Sequence, residues 1–143
     1  MTIAMRQAIL RANAIFLLIA STWGMSADIA GAFFAIGPQR AIIGAAPHAA
    51  IGFVEAHGLA FIIGMLLWRA APIRSWHLTA ATVHVLLGTS NIVFWQIFIA
   101  ANALWGGYLT TSLHFLFVLL HLGAVVSVVE TSPLRLFRPD ETV

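Results

Sequence analysis

Residues 109–129 contain no Asp, Glu, Lys or Arg at all. Three more long apolar runs precede this one, over about 9–36, 49–68 and 76–101. A helix needs ~20 mostly apolar residues to cross a bilayer, and each run is that long. In lipid a segment must satisfy its own backbone hydrogen bonds, which leaves helices or closed barrels. The apolar runs are continuous and do not alternate over ~10 positions as lipid-facing strands do. The expected fold is therefore all-α: an integral membrane four-helix antiparallel bundle, one domain over residues 1–143.

Charge supports this class. Only 8% of the residues are charged and 61% are hydrophobic, where a soluble domain carries about 25% charged residues. Breakers separate the runs: Pro38 and Pro47, then Pro72, then Gly106 and Gly107. Pro133 and Pro139 break up a polar tail. The apolar stretch after Arg6 and Arg11 resembles a secretory signal, but it continues to Ile36, too long for a cleaved segment, so it reads as a retained first span.

The chain has no cysteine and no lysine. Disulfides, thiolate-held iron–sulfur clusters and lysine Schiff bases are thereby excluded. No basic stripe is present to follow a phosphate backbone, so nucleic acid is not an expected partner. Arginine placement sets the expected orientation. Arg6, Arg11, Arg69, Arg74, Arg135 and Arg138 fall on one side of the runs and Arg40 on the other, which puts both termini in the cytoplasm. In size and span count the chain resembles small bacterial four-span membrane proteins, the DoxX-like ones among them. That resemblance implies a multi-pass protein of the bacterial inner membrane. No family motif matches residue by residue, and no function is carried over.

Ionisable side chains inside spans are costly and face protein or a water-filled cavity. Here they are Asp28, Glu55, His57, His84, His114 and His121, with Asn91 and Gln96 as neutral companions. His77, His84 and Asn91 are spaced by seven, as are His114 and His121, and Ser21 and Asp28. Seven residues return to one helix face, so three spans carry a polar seam. Glu55 and His57 are two apart and project about 200° from each other, so only one of them can face the centre.

Reflecting each span about the following turn gives depth. With turns near Pro72 and Leu104, Asp28, His57 or Glu55, His84 and His121 fall in one layer, with His114 and Asn91 toward the outer surface. His77 and His48 read as solvated.

This layer admits three readings. Imidazole suits haem and transition metals. A haem b would take His84 and His121, with His57 able to replace either and His114 as a further cofactor-binding candidate. A metal would take His57, His84 and His121, with Glu55 or Asp28 as an oxygen ligand or orienting acceptor. A redox-associated role would follow. Alternatively, a column of carboxyls and imidazoles is the usual material of a proton relay or small transporter, expected as a homo-oligomer. Finally, the side chains could serve only to hold helices together in an accessory subunit of a larger membrane complex.

Overall fold

The computed structural model describes residues 1–130, with side chains through Ser127. The tail with Arg135 and Arg138, and the Glu130 side chain, lie outside the described residues. All regular structure among the described residues is helical: α1 (Ile3–Phe34), α2 (Arg40–Ala45), α3 (Ala50–Arg69), α4 (Arg74–Val93), α5 (Gln96–Ala100) and α6 (Leu104–Glu130), with a 3-10 turn at Pro47–Ala49 before α3.

Three helices are long and apolar enough to cross a membrane: α1, α3 with its preceding turn, and α6. The fourth expected span, 76–101, is not one helix. Helix α4 ends at Val93, Phe94 and Trp95 turn, and α5 is a separate short piece. At 20 residues, α4 measures about 30 Å. It is long enough to span but is diluted by His77, His84, Asn91 and several Thr and Ser, and it does not reach the hydropathy of the other three.

Local chemistry explains the helix ends. The Thr2 hydroxyl accepts from the Met5 N–H at 3.2 Å and starts α1. Ala35, in the left-handed region at φ 54°, ends it, and Gly37 (φ 82°) and Pro38 prevent its resumption. Asn102, at φ 51°, makes the turn from α5 into α6, a conformation Asn tolerates better than most residues.

The helices pack as two antiparallel pairs. Gln7 donates to the Ala70 carbonyl, Arg11 stacks on Trp68, Leu17 and Leu18 pack on Gly64, and Asp28 meets His57. As numbers rise along α1 they fall along α3. His77 meets His121, His84 meets His114 and Asn91 meets Thr110, so α4 and α6 are antiparallel as well. Arg6, Arg11, Arg69 and Arg74 thus gather at one end of the molecule. A small core of Leu10, Ala14, Leu17, Leu67, Ala70 and Ala80 ties α1, α3 and α4 together at that end.

The surface is inverted relative to a soluble protein. Fully buried side chains include Asn13, Ser21, Asp28, His77, His84 and His121, whereas Trp23, Phe33, Ile51, Leu86, Trp105 and Leu119 are exposed. Apolar residues on every long helix point outward, which is stable only where the surroundings are themselves apolar.

Candidate functional site

The polar interior divides into two sites, both anchored on α1. The first is a chain of five side chains from three helices. The seven-residue spacings of α4 and α6 run in opposite directions, so they match twice. His77 and His121 face each other Nδ1 to Nδ1 at 2.9 Å, and His84 and His114 do the same at 2.8 Å. Gly88 makes this approach possible, because a Cβ there would press on the His114 Cβ and the Phe115 ring. Asn13 of α1 joins the two pairs: its Nδ2 lies 2.7 Å from His121 Nε2 and its Oδ1 2.7 Å from His84 Nε2. Phe117 stacks on His84 at 5.2 Å, and Phe16 stacks on it at 6.0 Å.

With the Asn13 amide in the orientation it takes here, hydrogen-bond valence sets the protons in this chain. Asn13 Nδ2 can only donate, so His121 Nε2 accepts and His121 Nδ1 carries the hydrogen. His121 then donates to His77 Nδ1, which leaves the hydrogen of His77 on Nε2. On the other side Asn13 Oδ1 accepts from His84 Nε2–H, so His84 Nδ1 accepts from His114 Nδ1–H. All four imidazoles are then neutral rings with one tautomer each, and His77 Nε2 is left as a buried ring nitrogen without a partner. A second proton on the accepting ring of either pair, His77 or His84, would put N–H against N–H and break that link.

The second site lies fifteen residues further along α1, about 22 Å away at the helical rise. Gly24, Asp28 and Gly31 share one face there. The His57 ring of α3 lies where a Gly24 Cβ would be, and Gln39 packs on Gly31 with its Cβ 3.1 Å from where a Cβ would stand. Asp28, between them, is 0% exposed. Its Oδ2 is 2.6 Å from His57 Nδ1, while the His57 side chain is 32% exposed. Two buried acceptors have no partner, Asp28 Oδ1 and Gln39 Oε1.

The single layer expected from the sequence is therefore two levels. His84, His114 and His121 come together, and Asp28 joins only His57. Glu55 is exposed on the outer face of α3 and belongs to neither site. His77, expected in solvent, is fully buried and pairs with His121, whereas His48 is exposed as expected. Gln96 is exposed, and Asn91 bonds Thr110 outside the chain.

The register error has a specific cause. The pairs 77/121 and 84/114 reflect about a point near Ile99, not Leu104, because α4 stops at Val93 and α5 occupies the connection. The equal seven-residue spacings on consecutive helices carried that information, since only one antiparallel register matches both pairs. Asn13, Arg6 and Gln39 had no comparable signal.

The expected ligand sets can be compared with these positions. Among the described residues no group of three or more His, Asp or Glu side chains is gathered to hold a metal ion. The His84 and His121 rings are nearly parallel, with centroids 6.4 Å apart, and the Asn13 amide stands between their Nε2 atoms. A porphyrin between them would have to displace Asn13 and the Phe117 ring. Comparison with protein families, characterised proteins and solved structures finds no match for this chain.

Proposed function

We propose that the protein is a four-span membrane protein, both termini cytoplasmic, that binds one monovalent cation, Na⁺ or a proton, at Asp28. The observation that carries this reading is the buried, unpartnered Oδ1 of Asp28, one turn from Gly31, on which Gln39, with its own unpartnered Oε1, packs. A buried carboxylate needs compensating charge. His57, held by Gly24, supplies one N–H to Oδ2, and two acceptors remain. One positive charge neutralises the site; a divalent ion would leave an excess charge in a medium that does not solvate it. The half-buried His57 marks the route of entry, from the arginine-poor side. The imidazole chain closes the interior beyond. An amide cannot pass a proton between rings as an imidazole can, so Asn13 separates the two imidazole pairs as proton carriers and makes them a lock between helices.

The test is the thermal unfolding midpoint of protein in nanodiscs, with Na⁺ exchanged for choline and across pH. A ligand that binds only the folded state stabilises it by about 2.7 kcal/mol at a hundredfold excess over Kd. Stabilisation by Na⁺ or by acid in the wild type, and its loss in Asp28→Asn, support the reading. Equal responses in the two proteins refute it.

A second reading places a transition metal or haem b on the imidazoles. Its support is the pairing of four buried histidines at two levels, the arrangement from which stacked bis-imidazole sites are built. It requires Asn13 to swing aside. A Soret band, or stoichiometric metal in the purified protein, is its test.

A further inference from the structure

At the arginine-rich end the imidazole chain terminates in a donor with nothing to receive it. His77 is 0% exposed and its Nε2 has no partner. The Asn13 amide, read through His121, puts a hydrogen on that nitrogen. Arg6 shares Asn13's face of α1, seven residues earlier, as His77 shares His84's face of α4. Because Asn13 touches His84, Arg6 stands at the level of His77, and its charge acts on the His77 ring. Arg6 is only 9% exposed, and its Nε also has no partner. Asp28 and Glu55, the two acids whose side chains are described, are both at the opposite end. Two buried donors and a full positive charge therefore lie at one level of the bundle, where no described side chain accepts from them. A buried N–H without an acceptor is costly, and planar N–H groups of this kind match an oxyanion.

We propose that Arg6 and His77 form a binding site for one phosphate-type oxyanion at the arginine-rich end of the bundle. In a bilayer this end lies at headgroup depth, where phospholipid phosphates are the concentrated source, and free phosphate is the other. The site is independent of Asp28. Its occupant would accept from His77 Nε2–H and from Arg6 Nε–H, and so hold the whole chain in one proton arrangement.

The experiment uses full-length protein in maltoside micelles, which contain no phosphate. Phosphatidylglycerol, diacylglycerol with the same chains, and inorganic phosphate are added separately, and the unfolding temperature is read for wild type, Arg6→Gln and Arg11→Gln. Arg11 lies at the same end but stacks on Trp68 at 4.5 Å, so it controls for general charge. A lipid site gives a rise of several degrees with phosphatidylglycerol in wild type and Arg11→Gln, and none in Arg6→Gln. An equal rise with inorganic phosphate assigns the same site to the free anion. Diacylglycerol acting as well as phosphatidylglycerol, or Arg11→Gln losing as much as Arg6→Gln, overturns the proposal, as does the absence of any response. If Arg6→Gln does not fold, the ¹⁵N histidine spectrum of the wild type decides. The His77 Nε2 resonance must move on adding phosphatidylglycerol or phosphate, and an unmoved resonance overturns the proposal.

Discussion

Asn13 and Asp28 are both fully buried polar residues on the inner face of α1, yet they do opposite things. Around Asn13 the amide and the ring nitrogens between His77 and His114 meet partners, and the partners come from α1, α4 and α6. Around Asp28 one oxygen is partnered and one is not, and the neighbouring Gln39 oxygen is also open. A network whose inner bonds are all made fixes helices relative to each other and stays open only at its His77 end. An open one stays costly until something arrives. The contrast separates the part of the interior that holds the fold from the part suited to bind.

That comparison can be broken by mutation. Asn13→Leu strands the Nε2 atoms of His84 and His121 in the interior. It should cost about 2–4 kcal/mol, between the modest average of interhelical hydrogen bonds in membranes and the full cost of two unsatisfied groups. Denaturant unfolding in mixed micelles measures this, and the response to Na⁺ or acid should persist in the variant. If Asn13→Leu is as stable as wild type, the chain is not a lock. Gly24→Val drives a side chain into the His57 ring. Overpacking of this kind costs about 1–3 kcal/mol, and here it should also abolish the cation response by detaching His57 from Asp28. Retention of the response would mean that Asp28 binds without His57. Asp28→Asn removes the charge and keeps the shape. Without cation its stability should stay within about 1 kcal/mol of wild type, because a neutral amide is less costly to bury than a carboxylate, and the response to Na⁺ or acid should vanish. Glu55→Gln, on the exposed face of α3, should change stability by less than about 0.5 kcal/mol and leave the response intact. A lost response in Glu55→Gln would return Glu55 to the site and join the two faces of α3 in one pathway.

The all-helical class and the apolar helices were legible because lipid imposes long apolar runs that composition alone reveals. The seams on α4 and α6 were legible too, since seven-residue spacing is a local property of a helix. Register was not local. It depended on where α4 stops, and the residues that stop it, Val93, Phe94 and Trp95, are apolar and carry no breaker. A shift of the turn by a few residues set His77 opposite His121 and His84 opposite His114. Asn13 was harder still. One amide between Arg11 and an apolar run reads as part of a polar approach to the membrane, and only the meeting of α1 with α4 and α6 shows its role. Gly24 was equally silent, because a glycine's use as a berth for a ring on another helix is visible only when that ring is placed.

The Asn13 amide presents an acceptor on one side and a donor on the other, and four rings take their orientation from it. Turning that one group over would require every imidazole from His77 to His114 to exchange its N–H for a lone pair in the same event. A string of small dipoles spread over two helices thus has only two collective settings, and the selector belongs to a third helix that contributes none of the rings.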